Sequence, residues 1–302
     1  MLYVIIALLP ASIFGVYNFG LRALLLIAVC IASCVASEWI FEKIVHKKST
    51  ITDFSAVLTG LLLALNLPHT LPIWQAVLGS IFAIVIVKML FGGLGQNFMN
   101  PALAGRCFMM LSFSSAMTSF TVKKGAAYMY GVAVDATSSA TPLAQVKEGG
   151  LPDLKAMFLG TTTGTIGETS AIAILIGAMF LILMGVITLR IPGTYIITFV
   201  IFISLFGGHG FDPAYVTAQV AGGGLMLGAI FMATDYQTSP INNKGKAFFA
   251  LGCGILTFVI REYCAYPEGV SLSILVMNIL APMIEKWTAA TPLGLGGPKN
   301  AK

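Results

Sequence analysis

The chain has 302 residues, of which 57% are apolar and only 10% are charged. Soluble domains carry about 25% charged residues, so this composition excludes an ordinary soluble domain and indicates an integral membrane protein. The net charge of +5 is too small for a nucleic-acid-binding protein, and five cysteines, mostly in apolar runs, do not fit a secreted disulfide framework.

Ten apolar segments follow one another along the chain. A helix needs about 20 residues to cross about 30 Å of hydrocarbon, and the third and seventh segments are shorter than that. Pro68, Gly207, Gly208 and Pro213 lie at the ends of apolar segments, which predicts helices that break inside the membrane. The predicted spans are residues 2–19, 21–45, 54–67, 73–91, 102–118, 169–189, 194–206, 214–233, 247–265 and 270–287.

Basic residues predict the orientation of the bundle, because Lys and Arg gather in cytoplasmic loops. Most of them fall on one side of the membrane if both termini are cytoplasmic. The loop of residues 119–168 then faces outside, although it contains four lysines of its own. The residues that define the cytoplasmic side are Lys43, Lys47, Lys48, Lys88, Arg190, Lys244, Lys246, Lys286, Lys299 and Lys302.

Two weak internal echoes suggest that the chain is duplicated. Residues 58–68 resemble residues 227–240, and residues 99–101 resemble residues 277–282. With five spans in each half, the second half must insert upside down, and inverted repeats with interrupted helices are typical of transporters. We therefore predict an all-α integral membrane protein of about ten transmembrane helices in two inverted five-helix repeats. The predicted boundaries are 1–118 and 169–302 for the repeats and 119–168 for the extracytoplasmic loop.

The glycine-rich stretch GGLGQNFMNPALAGR, residues 92–106, contains the first candidate binding residues. Its glycines allow the backbone to approach a ligand closely. Asn97 and Asn100 are three residues apart, so in a helical turn their amides point to one side. Each amide offers two donors and one acceptor, which suits the edge of a heteroaromatic ring such as a flavin. The alternative is a capping loop in which the asparagines form turns and Pro101 begins the next helix.

The stretch DATSSATPL, residues 135–143, places several hydroxyl groups beside a carboxylate. Thr141 precedes Pro142, so its backbone is extended and its side chain is displayed. Asp135, Ser138 and Ser139 surround it with hydrogen-bonding groups. The alternatives are a polar turn or an N-cap of a helix entered at Pro142. No histidine is close in sequence to act as a base, so a displayed threonine favours covalent modification over hydrolysis.

Residues 222–224 are three consecutive glycines inside the predicted eighth span. They allow the close approach either of two helices or of the backbone to a planar ligand, and helix packing is the preferred interpretation.

Acidic residues are scarce at the centres of the predicted spans. A carboxylate in the membrane is a functional site by default, but Glu38, Asp53, Asp235, Glu262 and Glu285 all lie near span ends. We therefore expect any ion path to use backbone carbonyls, partner subunits or redox-driven rearrangement.

Together, the two polar motifs resemble the D subunit of Rnf-type ion-translocating ferredoxin:NAD oxidoreductases, a family related to the B subunit of sodium-pumping NADH:quinone reductase. The likeness extends over nearly the whole chain, including VIIALLPASIFG near its start and EGVSLSILVMNILAP near its end. It implies a subunit of a complex in a prokaryotic plasma membrane that couples electron transfer between ferredoxin and NAD to sodium or proton translocation. The implied partners are the other subunits of that complex and a dedicated flavin transferase.

The resemblance also implies two flavins. In the family the threonine of a D-x-x-S-G-A-T motif carries FMN through a phosphoester bond, and it matches Thr141. The two asparagines that contact a non-covalent riboflavin in the relative match Asn97 and Asn100. One flavin outside and one near the cytoplasmic side would carry electrons across the bilayer. The other matched motif positions are Asp135, Ser138, Ser139 (a glycine in the family) and Ala140.

Two other functions are compatible with the residues alone. The broken helices and the repeat pattern also fit a channel or transporter for a small solute, and a scaffold subunit without activity is a third interpretation. The chain has no cysteine cluster for iron–sulfur and no dinucleotide fingerprint after a strand. We therefore expect the ferredoxin and NAD sites in other subunits, and we predict no catalytic or metal-ligating residue in this chain.

Overall fold

The computed structural model describes most of the chain. Four positions of the predicted flavin motif, Asp135, Ser139, Ala140 and Thr141, lie outside the described residues. The described residues are 1–46, 49–122, 137–138, 142–147, 150, 153–160, 162, 164–168, 170–208, 210–264 and 269–289.

Each of the ten predicted spans is helical, so the predicted all-α multi-pass membrane fold is confirmed. In the described part of the chain, four helices are long and apolar enough to cross a membrane alone, and a bent helix pair makes a fifth if its two parts are counted as one span. The other spans are shorter helices. The helices are α1 Leu2–Phe19, α2 Leu21–Ile44, α3 Ser55–Leu65, α4 Ile73–Ile81 with a π-helical continuation Phe82–Met89, α5 Pro101–Ser112, α6 Ser114–Met117, α7 Pro142–Lys147, α8 Leu154–Leu159, α9 Ala171–Leu183, α10 Arg190–Phe206, α11 Pro213–Ala221, α12 Leu225–Leu227 with a π-helical continuation Gly228–Met232, α13 Asn243–Tyr263 and α14 Val270–Thr288.

Short elements lie in the connections between the spans. A 3-10 helix, Ile51–Asp53, precedes α3. Two two-residue strands, β1 Thr121–Val122 and β2 Thr137–Ser138, pair antiparallel with Thr121 opposite Ser138. This pairing joins the start of the central loop to residues 137–138, which lie inside the predicted flavin motif.

The third span is interrupted after α3. Residues 66–71 are not helical, yet all of them except Thr70 are buried. Their backbone pairs with the loop before α9: Ile166 N–H donates to Leu67 O at 3.1 Å, and Gly167 N–H donates to Leu65 O at 2.8 Å. Non-helical backbone is tolerated at membrane depth only where protein covers it. The predicted break near Pro68 is confirmed.

The second interruption lies at the three glycines rather than at the predicted position. α11 and α12 are bent by 61° at residues 222–224. Gly223 and Gly224 have φ angles of 64° and 67°, in the left-handed region that favours glycine. These residues end one helix and begin the next. They also allow the close helix packing that we preferred, since a Cβ added at Gly222 would lie 3.2 Å from Met157 of α8 and 3.5 Å from Leu143 of α7. Gly207 and Gly208 simply follow the end of α10.

The two halves of the chain pack in the same order. α2 packs against α4 in the first half, and α10 packs against α13 in the second. α3 likewise contacts α5 in the first half, and the π-helical continuation of α12 contacts α14 in the second. Between the halves, α1 contacts α9 and α5 contacts α14. This is the pattern expected of two five-helix repeats. The predicted boundaries of the repeats stay a prediction.

One of the two sequence echoes is not a structural equivalence. Asn100 lies before α5 and caps it, whereas Asn278 lies inside α14. Pro282 is also inside that helix, while Pro101 begins α5. The resemblance of these two short stretches therefore does not mark corresponding positions of a repeat.

Candidate functional site

A pocket of about 210 Å³ opens at the end of the bundle where α1 begins; we call it the interhelical pocket. Its walls come from the starts of α1, α3 and α5, the ends of α4 and α9, and the turn after α12. These helix ends lie at one face, as the predicted alternation of spans requires. Its polar lining residues are Ser55, Thr59, Lys88, Asn97, Asn100, Thr234, Asp235 and Gln237.

Asn100 has two roles at the edge of this pocket. Its Oδ1 accepts hydrogen bonds from Ala102 N–H at 3.0 Å and Leu103 N–H at 3.4 Å, so it caps α5, and Pro101 is the first residue of that helix. The capping interpretation is therefore confirmed for Asn100. Its Nδ2 also lies 3.5 Å from Met232 O, which ties α5 to the broken eighth span.

Asn97 is not a cap. Its Nδ2 donates to Met99 O at 3.1 Å, and its buried Oδ1 has no hydrogen-bond partner among the described residues. A buried oxygen without a partner costs about 1–3 kcal/mol. A ligand that donates a hydrogen bond to Asn97 Oδ1 would remove this cost. Gly92, Gly93 and Gly95 all have positive φ, and they turn the chain so that Asn97 and Asn100 line one pocket.

Asp235 and Gln237 form the wall facing the glycine-rich loop. Gly95 N–H donates to Gln237 Oε1 at 3.1 Å, which holds the two loops together. Asp235 accepts from Gln237 N–H and from the Thr238 hydroxyl, both at 3.3 Å. Burial raises the pKa of the Asp235 carboxyl above its usual range, against these two hydrogen bonds, which lower it. The sequence placed Asp235 only near a span end and did not assign it to this pocket.

Asn278 of α14 supports the pocket from behind. With its amide oriented so that both groups are satisfied, it accepts from Asn100 N–H and donates to Thr238 O, each at 3.2 Å. It is 2% exposed. One side chain thus joins the loop that carries Asn100 to the loop that carries Asp235.

A buried ion pair beside the pocket joins α2 to the π-helical continuation of α4. Lys88 Nζ donates to Glu38 Oε1 at 2.8 Å, to Glu38 Oε2 at 2.9 Å and to Ser55 Oγ at 2.6 Å. The Thr50 hydroxyl lies 2.8 Å from Glu38 Oε1 and 2.6 Å from Oε1 of buried Glu42. Lys88 closes the fourth span as predicted, but its ammonium group is buried in an ion pair. In the sequence, the lysine inside the apolar run FAIVIVKMLF was the one feature that could have indicated a buried ion pair here.

A second buried charge pair lies beyond the pocket, towards the opposite face. Arg106 Nη1 donates to Asn66 Oδ1 at 2.6 Å, and Arg106 Nη2 lies 3.9 Å from Glu168 Oε1. Asn66 in turn touches Met232, with Nδ2 3.6 Å from its sulfur. Glu168 is the last residue of the predicted extracytoplasmic loop, and its side chain is buried beside the break of the eighth span.

The predicted covalent flavin motif is described only at its edges. Ser138 belongs to β2, and α7 begins at Pro142, the residue after Thr141. A helix entered at Pro142 was one of our alternatives and is confirmed. Leu143 and Val146 of α7 are buried, and α7 packs against α11. Asp135, Ser139, Ala140 and Thr141 lie outside the described residues.

The side chains of the described residues do not form a metal centre. Across the described ranges, no group of three or more His, Cys, Asp or Glu residues lies close enough together to hold a metal ion.

Comparison with known proteins identifies the family. The family model described as "NQR2, RnfD, RnfE family" matches residues 1–294. The chain belongs to this family.

Several curated members of the NQR2, RnfD, RnfE family are similar along nearly their whole length. The D subunit of the Na⁺-translocating ferredoxin:NAD⁺ oxidoreductase complex of Acetobacterium woodii is 49% identical over 290 residues, which cover 94% of this chain and 87% of the relative. The D subunit of the proton-translocating complex of Clostridium ljungdahlii is 44% identical over 306 residues, covering 96% and 90%. The D subunit of the ion-translocating oxidoreductase complex of Stutzerimonas stutzeri is 38% identical over 317 residues, covering 95% and 89%.

Proposed function

We propose that this member of the NQR2, RnfD, RnfE family is the D subunit of an ion-translocating ferredoxin:NAD⁺ oxidoreductase complex in a prokaryotic plasma membrane. The names of the relatives from Acetobacterium woodii and Clostridium ljungdahlii support this assignment. In the proposed function the chain moves electrons between two flavins at opposite faces, and the complex couples this transfer to sodium or proton translocation.

The interhelical pocket is the proposed riboflavin site. The observation that carries this proposal is the buried Asn97 Oδ1, an acceptor without a partner among the described residues, in a pocket that Asn100 also lines. Leu58, Leu62 and Phe231 supply apolar walls, as a planar ring requires. A bound flavin would supply one- and two-electron chemistry. Asn97 would accept from a ring N–H, and Gln237 and Asp235 would fix the opposite edge.

Thr141 is the proposed attachment point of FMN, through a phosphoester made by a flavin transferase. The motif DATSSATPL supports this proposal, with Asp135, Ser138, Ser139 and Ala140 as the neighbouring recognition positions. The placement of α7 also supports it, since this helix begins at the residue after Thr141 and packs against α11.

Charge distribution supports an extracytoplasmic position for Thr141. The spans alternate, so α7 and the interhelical pocket lie at opposite ends of the bundle. Lys43, Lys244 and Lys286 lie at helix ends on the pocket's face, and basic residues gather on the cytoplasmic side. The pocket would then face the cytoplasm and the flavinylated loop the outside.

A denaturing gel tests the covalent site. Membranes from cells that also express the flavin transferase should give a fluorescent band at the mass of this chain under ultraviolet light. Thr141→Ala should abolish the band, and Thr137→Ala, a threonine earlier in the same motif, should keep it. A dark band for the unmodified chain, or a band that survives Thr141→Ala, contradicts the assignment.

A second measurement tests the interhelical pocket. Riboflavin released from the purified protein by denaturation should be stoichiometric, and Asn97→Leu should lower it strongly without affecting the fluorescent band. Full riboflavin content in Asn97→Leu would place the ligand elsewhere.

The broken helices keep one alternative open, a channel or transporter for a small solute without redox activity. The same two measurements separate it from our proposal, because a solute channel carries neither the covalent nor the dissociable flavin.

A further inference from the structure

The break of the eighth span lies at the face opposite the interhelical pocket, and together with Arg261 it forms a surface that we call the socket. Its floor consists of the three glycines at residues 222–224, between α11 and α12. Two of them, Gly223 and Gly224, hold left-handed backbone, so the chain presents carbonyl groups where a continuous helix would satisfy them internally.

Arg261 of α13 holds this shape. Its Nη1 donates to Gln219 O at 2.5 Å and to Gln219 Oε1 at 3.2 Å, and its Nη2 donates to Gly222 O at 3.1 Å and Gly223 O at 3.0 Å. The guanidinium group also lies over the ring of Phe199, with Cζ 5.0 Å from the ring centroid. Arg261 is 2% exposed, so a rigid fork of donors fixes the carbonyls that the break leaves open.

A side chain of α7 fills the socket. Leu143 is 3% exposed, and an added Cβ on Gly222 would lie 3.5 Å from its Cγ. An added Cβ on Gly223 would overlap Leu143 Cδ1 and lie 2.8 Å from Arg261 Nη2. Glycine at position 223 is therefore required twice, by the backbone conformation and by the leucine above it.

We propose that the glycine break and Arg261 form a docking socket that positions the covalent flavin by holding Leu143, two residues after Thr141. This inference rests on the proposed function, because it takes Thr141 as the attachment point. Only Pro142 separates Thr141 from Leu143, and proline restricts the backbone at that position. The attachment point is therefore joined closely to the first turn of α7, which the socket holds through Leu143. The socket thus sets where the flavin lies relative to the membrane, while the transferase sets only that it is attached.

The test uses Gly223→Ala, with Gly210→Ala as its matched control. The two glycines have nearly the same φ, 64° and 61°, but no atom lies within 4 Å of a Cβ added at Gly210. Both substitutions carry the same backbone strain, and only Gly223→Ala pushes against Leu143. Leu143→Ala provides a second variant that empties the socket without changing the backbone.

The first measurement does not require flavin. Val146 of α7 is buried and Cys264 is the exposed native cysteine among the described residues, so Val146→Cys is introduced into a Cys264→Ser background. A membrane-impermeant maleimide should label it slowly. Gly223→Ala and Leu143→Ala should each raise the labelling rate about tenfold or more, because α7 is released, and Gly210→Ala should not.

The second measurement uses the flavinylated complex. Gly223→Ala and Leu143→Ala should keep the fluorescent band but slow reduction of the covalent flavin by reduced ferredoxin about tenfold or more, since small displacements of reacting groups have large kinetic effects. Labelling and reduction rates equal to those of Gly210→Ala would overturn the socket. If the unmodified chain gave no fluorescent band, the proposed function would fail, and the labelling rates would still decide whether Gly223 seats α7.

Discussion

Removal of the ammonium group of Lys88 should destabilise the protein more than removal of the whole ion pair. Lys88 and Glu38 are 3% and 0% exposed at their side chains, with a closest N–O distance of 2.8 Å. At an effective dielectric constant of about 20, the attraction over that distance is about 6 kcal/mol. Desolvation of both charges offsets much of it, so the pair itself adds little net stability.

The single substitution Lys88→Met leaves Glu38 buried without its partner. We expect a loss of about 3–5 kcal/mol of unfolding free energy, the usual cost of an uncompensated buried charge. The double variant Lys88→Met with Glu38→Gln should recover most of this loss. Lys244→Met provides the control, since Lys244 is exposed and surface substitutions change stability by about 0.5 kcal/mol or less.

The assay is denaturant unfolding of the purified protein in detergent micelles, followed by tryptophan fluorescence, for the single variants, the double variant and the control. The double-mutant cycle isolates the coupling between the two side chains. A double variant as unstable as Lys88→Met alone would refute the reasoning, because the cost would then come from lost packing rather than from an unpaired charge.

Three further outcomes follow from the geometry of single residues. Asn100→Ala should cost about 1 kcal/mol of stability through loss of the α5 cap, and the purified variant should also contain less riboflavin. Asn100→Ser should keep the cap but still contain less riboflavin. Riboflavin content equal to that of the parent in both variants would contradict the binding role of Asn100. Because burial raises the pKa of Asp235, the unfolding free energy should fall as pH rises from about 4 through that raised pKa. Asp235→Asn should flatten this pH dependence in unfolding curves. An unchanged dependence on pH in Asp235→Asn would contradict the assignment of the effect to Asp235. Gly60→Ala should cost about 1–3 kcal/mol, since its Cβ would lie 2.7 Å from the α2 backbone, whereas Gly193→Ala, with open space around it, should be neutral in the same unfolding assay.

The spans could be predicted because they depend on local composition. Apolar length alone locates each helix, and α1 begins and ends at the predicted residues. The break after α3 was also visible, since Pro68 cannot continue a helix. Asn97 and Asn100 were singled out because their two amides follow a glycine-rich turn, and the structure places both at the interhelical pocket. Their role in binding stays a prediction.

The buried charges could not be paired from the sequence. Glu38 meets Lys88, Arg106 meets Glu168, and Arg261 meets the glycine break only through tertiary packing. A lone basic residue near a span end is a topology signal, and that signal says nothing of the partner that Lys88 finds in Glu38. The three glycines predicted close packing, but the helix break at the same position became visible only in the structure.

The backbone pairing between the third span and the loop before α9 has a consequence for biogenesis. Leu65 and Leu67 receive their hydrogen bonds from Gly167 and Ile166, which the ribosome delivers only after the fifth span has been made. Until then their carbonyl groups lack these donors, and hydrocarbon offers no others. The first five helices alone therefore lack two backbone donors of the folded structure, and residues near the middle of the chain supply them.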